Sequence, residues 1–247
     1  MKNHFFPNKK KLATLMIYAT DLCDSACKHC LIWTKRPVNY LPYEKIIEIM
    51  QSKLVTKNTV VGLEGGEFLL HPRAMDILKW FSQNHPKFDL LTNALRPEKV
   101  IEAVEKYPPK RLFISLDGPN ETYYHMRGKD GYDGIIDLFE KLHTKVPISA
   151  MFTLSPYNDF DDLEHVANVC KKYKIDLRIG VYNNISFFDT VDKAHFNEIG
   201  SLKNSDTLSF KNVKERQATS DLDVLVEKER KTMINIRERL PEIIKDF

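Results

Sequence analysis

Between Asp21 and Trp33 the run Asp-Leu-Cys-Asp-Ser-Ala-Cys-Lys-His-Cys-Leu-Ile-Trp separates Cys23, Cys27 and Cys30 by three and then two residues. Three thiolates this close converge on one inorganic centre, and three readings compete for them. A structural zinc site takes four closed ligands, usually from two paired loops. Here there is one loop, the remaining cysteine is Cys170, and His29 adjoins Cys30, where neighbouring residues reach one tetrahedral ion only with strain. A disulfide framework would suit an even cysteine set in an exported chain. Export is not expected, because the apolar run after the basic Met1 to Lys11 segment is short, lacks a small-residue cleavage site and leads straight into Asp21 and the cysteines. The third reading is a [4Fe–4S] cluster on three thiolates, which leaves one iron without a protein ligand and open to a small molecule.

A second feature is Gly65-Gly66-Glu67, at the end of the apolar run Thr59 to Glu64. Glycines at a strand end let the backbone approach a ligand closely, and a carboxylate or carbonyl beside them accepts from an ammonium. Taken alone this is a glycine-rich turn. Further on, Arg111-Leu-Phe-Ile-Ser-Leu-Asp-Gly118 alternates Phe113, Ser115 and Asp117 onto one face of a strand, and Tyr124-His-Met-Arg-Gly128 follows it.

The cysteine spacing, with the strand before it, resembles the signature of the radical S-adenosylmethionine (SAM) superfamily. In that family the open iron chelates the amino and carboxylate groups of SAM. The resemblance implies a [4Fe–4S] cluster on Cys23, Cys27 and Cys30 and SAM as the second cofactor. It places His29 near the adenine, where the family usually has an aromatic residue, and gives Gly65, Gly66 and Glu67 the SAM amino group. Phe68 stands where the family has a proline. Asn93 resembles the Asn of a Thr-Asn-Gly motif, with Ala94 in place of the glycine. Ser115 is implied to face SAM, Asp117 the mouth and the substrate, and Arg127 the SAM carboxylate, a task for a fork of donors. Arg127 and Glu67 are thus expected to grip opposite ends of SAM's amino-acid moiety. No catalytic residue acting on the substrate is implied.

The elements that must position these residues follow from periodicity. Leu12 to Thr20 is a continuous apolar run that predicts a buried strand emptying into the cysteine loop. Strands are predicted over Thr59 to Glu64, Phe88 to Asn93, Arg111 to Leu116, Val146 to Leu154 and Ile175 to Val181. Helices are predicted over Tyr43 to Leu54, Pro72 to Asn84, Pro97 to Tyr107, Tyr132 to His143 and Phe160 to Tyr173. Such alternation calls for parallel βαβ units with right-handed crossovers. Six of them resemble the partial (β/α)6 barrel of radical SAM enzymes, an α/β, TIM-like fold whose reactive loops gather at the strands' C-terminal mouth.

Residues 1–181 are therefore expected to form the barrel core and residues 182–247 an extension. Tyr182 to Ser220 is polar, and Asp221 to Arg239 is a charged helix whose apolar stripe predicts docking that closes the open barrel. Peptide-modifying members of the family commonly carry later cysteines for auxiliary clusters, and none follows Cys170 here. Either the substrate needs no second cluster, or these 247 residues are the first part of a longer protein. Cys170 and the histidines at 71, 125 and 143 have no metal-ligand spacing and are expected to be ordinary.

Thirty-seven Lys plus Arg against 34 Asp plus Glu leave a net charge of +3, which gives no global argument for nucleic acid or an acidic membrane. No run approaches the ~20 apolar residues of a membrane span. The expectation is a cytoplasmic radical SAM enzyme acting on a peptide or small metabolite, with a flavodoxin- or ferredoxin-like electron donor. A non-catalytic zinc or iron–sulfur scaffold, and an RNA-modifying member of the same superfamily, are the alternatives.

Overall fold

The computed structural model describes residues 11–155, 157–182 and 238–245. Six strands form one sheet in the order of the chain, all parallel: β1 (Thr14–Tyr18), β2 (Val60–Glu64), β3 (Phe88–Thr92), β4 (Arg111–Ser115), β5 (Ile148–Leu154) and β6 (Asp176–Val181). β1 and β6 are its two edges, so the sheet is open, as a partial barrel requires. Between the strands run α1 (Tyr43–Met50), α2 (Ala74–Asn84), α3 (Pro97–Lys106), α4 (Asn120–Arg127), α5 (Tyr132–Leu142) and α6 (Phe160–Tyr173). A short α7 (Leu240–Ile244) follows.

Alternation divides each strand between two faces. Val61 and Leu63, Phe88 and Leu90, Leu112 and Ile114, and Ala150 and Phe152 enter the core on the face covered by helices. The helices meet them with Ile77, Leu78 and Phe81 of α2, Ile135, Leu138 and Phe139 of α5, and Leu163, Val166 and Cys170 of α6. The opposite residues, among them Met16, Tyr18, Gly62, Glu64, Leu91, Phe113, Ser115, Met151 and Arg178, line the concave face; the register pairs Tyr18 with Glu64, Phe113 with Ser149 and Ser115 with Met151. Cys170, in the outer layer, is a buried small side chain packed in the core, its Sγ 3.9 Å from the Asp176 carbonyl.

Local signals explain the boundaries. Asp159 caps α6 by accepting from the Asp161 and Asp162 amides while Asp162 returns a bond to the Asp159 amide, a reciprocal capping box. α1 stops at Met50, four residues short of the expected end, where Leu54 is exposed and no longer faces the core. α4 is a helix that the sequence pattern does not announce, because its eight residues, Asn-Glu-Thr-Tyr-Tyr-His-Met-Arg, carry little apolar stripe. It ends at Gly128 in the left-handed conformation (φ 63°), the usual stop.

The expected extension lies mostly outside the described residues, including Tyr182 to Ser220 apart from Tyr182 itself, and the Asp221 to Arg239 helix up to residue 237. Arg239 and α7 dock on the outer side of α6, with Arg239 Nη2 2.7 Å from Asp161 and Ile243 buried. No helix among the described residues is long and apolar enough to cross a membrane.

Candidate active site

All the residues singled out by chemistry except Cys170 lie at the C-terminal ends of β1 to β4. The chain leaves β1 along β2, with the Ala19 amide on the Glu64 carbonyl at 2.9 Å. Asp21 then takes the Asn39 amide (2.6 Å) and side chain (2.9 Å) and an ion pair from Lys35, which anchors the start of the cysteine loop. The far side of the loop is pinned by α4: the Ala26 amide donates to the Arg127 carbonyl (2.9 Å) and the Lys28 amide to that of Met126 (2.8 Å). The Trp33 indole donates to the Cys27 carbonyl at 3.2 Å.

The Gly65-Gly66 turn lies against this loop. The Gly66 amide bonds the Thr20 carbonyl and the Glu67 amide that of Leu22, both at 2.7 Å. A Cβ at Gly65 would fall 2.3 Å from the Thr20 oxygen, and one at Gly66 2.4 Å from the Leu22 oxygen. Glycine is needed because two backbones touch, as the sequence suggests, but the contact is with the cysteine loop. Glu67 then turns inward. Its buried carboxylate accepts from the Leu69 amide (3.1 Å), the Thr92 hydroxyl (3.0 Å) and the Asn93 amide (2.7 Å). Burial pushes its pKa up to about 7 against these donors. The carboxylate thus ties the β2 and β3 ends together and does not present itself to a ligand.

Asn93 carries the β3 end to the loop: its Nδ2 donates to Asp24 at 2.9 Å and lies 3.6 Å from the Cys23 sulfur. Ala94 adopts the left-handed conformation, φ 58°, that a glycine would hold without strain. Phe68, in the family's proline position, is fully buried in a short 3-10 turn.

At the end of β4, Asp117 is fully buried and its Oδ2 receives both Arg127 Nε (2.7 Å) and Nη2 (2.5 Å). Its Oδ1 takes the Thr153 amide at 2.8 Å. The substrate contact expected of Asp117 is not what this geometry offers, since both oxygens are used within the protein. Arg127, also buried, turns Nη1 toward Cys27 at 3.7 Å from the sulfur. On the other side of that sulfur lies the Ser25 hydroxyl, at 3.0 Å. The Asp117–Arg127 pair and the Ser25 contact are the features sequence reasoning missed; only Ser25's place inside the loop hinted at the second. Ser115 is half-buried on the concave face.

His29 lies beside the pair. Burial, and then the Arg127 charge, lower its pKa to about 4, so the ring is neutral, and its buried Nδ1 has no partner among the described residues. An orphaned nitrogen of this kind is a vacancy for a ligand's hydrogen bond. The thiols are free. Burial pushes Cys23 up to about 12 and raises Cys30, so in the metal-free loop they are protonated and metal uptake would release protons.

The donor set fits an iron–sulfur cluster: three thiols on one loop, largely shielded, with N–H and O–H donors aimed at the sulfurs. Among the described residues no three His, Cys, Asp or Glu side chains are gathered around one point as ligands of a single ion would be. Thiolates that each serve a different iron of one cluster need no such common point. The Glu64 carboxylate has no hydrogen bond or ion pair among the described residues, and burial pushes it up to about 7. Tyr18 and Tyr182, from the two edges of the sheet, both lie within electrostatic range of Cys30.

A model of the Radical SAM superfamily matches residues 17–170. The chain is 25% identical over 180 residues to the GTP 3',8-cyclase of Clostridium botulinum, covering 68% of this chain and 56% of that protein. It therefore spans about half the length of the curated relatives it matches. Among solved structures, Streptococcus suis SuiB bound to S-adenosylmethionine superposes with a TM-score of 0.62 at 17% identity, over 85% of this chain and 49% of SuiB. SuiB bound to its precursor peptide SuiA gives 0.61 at 18%, over 78% and 46%. Methylornithine synthase gives 0.57 at 14% identity, over 73% of this chain and 56% of that one.

Proposed function

The chain belongs to the radical SAM superfamily of enzymes, and from that premise we propose that it cleaves SAM reductively at a [4Fe–4S] cluster held by Cys23, Cys27 and Cys30. The observation that carries this reading is the meeting of the cysteine loop, the Gly65-Gly66 turn, Asn93 and the Asp117–Arg127 pair at one end of the sheet. When bound, the cluster supplies the electron that splits SAM into methionine and a 5′-deoxyadenosyl radical, which takes a hydrogen atom from the substrate.

The rest falls to the chain's own side chains. Two of the five Arg127 N–H donors go to Asp117 and one to Cys27, so donors remain for the SAM carboxylate. With the Glu67 carboxylate turned inward, the carbonyls of the Gly65-Gly66-Glu67 turn are left to receive the SAM ammonium. His29, with its buried Nδ1 unpartnered among the described residues, would offer that nitrogen to the adenine of bound SAM. Ser115 lines the SAM side of the concave face, and the surrounding walls exclude water from a reactive intermediate.

A peptide or small metabolite is the substrate class. Peptide is supported by SuiB, a protein of the same fold that binds a precursor peptide. Residues 1–181 act as the catalytic core and 182–247 as an extension. A flavodoxin- or ferredoxin-like donor supplies the electron in a reducing cytoplasm.

Anaerobic reconstitution should give about four irons per chain, the count for one [4Fe–4S] cluster. Dithionite and SAM should then release 5′-deoxyadenosine. Alanine at Cys23, Cys27 or Cys30 should abolish both, whereas Cys170→Ala should keep both. A reconstituted protein that binds SAM and never cleaves it would overturn the proposal.

A further inference from the structure

We propose that Arg127 and Ser25 set the reduction potential of the metal centre through the Cys27 thiolate. The inference rests on the cluster reading above. Its ground is an asymmetry among the three sulfurs. Cys27 is the buried one of the three, and among the described residues it alone is approached by a hydroxyl and a cation, Ser25 Oγ at 3.0 Å and Arg127 Nη1 at 3.7 Å. Cys23 is approached only by neutral amides, that of the Ser25 backbone and Asn93 Nδ2 at 3.6 Å, the latter also serving Asp24 at 2.9 Å. The Cys30 sulfur takes the Ile32 backbone amide and no side-chain hydrogen bond among the described residues.

A ligand thiolate only accepts, so Ser25 must be the donor. Its other acceptor, the Arg127 carbonyl, is farther away at 3.3 Å, and both are buried, so no water competes. The guanidinium cannot give up its charge, and its pairing with Asp117 neutralises it only in part, because Asp117 also answers to the Thr153 amide. Asp117 is itself fixed, its carbonyl taking Asn158 Nδ2 at 3.1 Å. The guanidinium is thereby locked with one edge on Asp117 and Nη1 toward Cys27. Reduction adds negative charge to a cluster and its thiolates, and a hydrogen bond or a cation at a ligand sulfur stabilises that state. Arg127 and Ser25 therefore raise the potential, bringing the centre nearer the reach of a biological reductant. Both act through Cys27 and are positioning residues in this role.

The test is a redox titration of the reconstituted protein without SAM, followed by electron paramagnetic resonance, on wild type, Ser25→Ala, Arg127→Lys and Arg127→Gln, with iron counted in each. Arg127→Gln should give about tenfold less reduced cluster at a fixed solution potential, about 59 mV for a one-electron couple. Ser25→Ala should shift in the same direction by less, and Arg127→Lys should recover most of the wild-type value. If both Ser25→Ala and Arg127→Gln keep full iron and the wild-type potential, the inference is wrong. If both lose their iron while wild type keeps it, the two residues retain the cluster and do not tune it, which also overturns it. Should Arg127→Gln alone fail to assemble, Ser25→Ala decides by its potential. Absence of iron from wild type would count against the cluster itself, a separate failure.

Discussion

The segment that contains β4 carries an Arg–Asp pair at each end, and the two differ in nearly everything except chemistry. At the N-terminal end Arg111 meets Asp176 of β6 and the Ser149 hydroxyl, with side chains 29% and 54% exposed. At the C-terminal end Arg127 meets Asp117 with side chains 7% and 0% exposed. Solvent screens the first pair, which reaches from β4 across β5 to β6 and contributes at most ~1 kcal/mol. The second has lost its water, a cost of several kcal/mol per ion that partners must offset. A fold needs only the first kind. The second lies against the cysteine loop, at the end of the sheet where the proposed chemistry is placed, and the first lies at the opposite end.

The sharpest way to break this contrast is Asp117→Ala, which strands the Arg127 charge and the Thr153 amide in the interior. It should cost about 3–5 kcal/mol, read from urea unfolding of the reduced, metal-free protein. A loss under 1 kcal/mol would make the two pairs equivalent. Pairing Asp117→Leu with Arg127→Met should restore much of the loss, because no charge is left unpaired.

Glu67→Gln should come next, at about 1–3 kcal/mol in the same assay. All three contacts to the carboxylate come from donors, so an amide nitrogen placed there faces another donor.

A smaller effect concerns pH. Glu64 and Glu67 are raised from 4.5 to about 7 in the folded protein. The folded state then holds protons that the unfolded chain has released, so both groups lower stability as pH rises from about 4.5 to about 7. Glu64→Gln, which sacrifices no partner, should flatten that decline and leave stability near pH 4.5 unchanged. Urea midpoints at pH 5 and pH 8 would show it, and an unchanged difference between them would mean that Glu64 is solvated. Asp176→Asn should be the least consequential, within ~1 kcal/mol and smaller still in high salt. A larger loss would show that the N-terminal pair is more than a surface tie.

Much of this architecture is legible in the chain. The predicted strands agree with β2 to β6 to within a residue or two at each end, and α6 is found at its predicted bounds, because the apolar periods mark them. The cysteines, the glycine pair and Asn93 can be placed at one mouth, since each follows a strand. What could not be seen was the direction of the long polar side chains. Glu67 turns inward because three donors await it from the end of β3 and the next turn, and no pattern within residues 64–67 states that. Arg127 has the composition of a surface charge. Its burial depends on Asp117, ten residues back across a helix too polar for its periodicity to be noticed.

The backbone bonds that hold the cysteine loop also bear on how the protein is made. One side of the loop rests on the carbonyl and amide contacts of residues 64–67, the other on the carbonyls of Met126 and Arg127. A nascent chain that has only just released Cys30 from the ribosome lacks both walls. The loop acquires its shape after about half of the 247 residues have been synthesised and four strands have paired. On the cluster reading proposed above, loading of the metal centre would be a late event in biogenesis, because a chain stalled before α4 lacks the wall that Met126 and Arg127 supply to the cysteine loop.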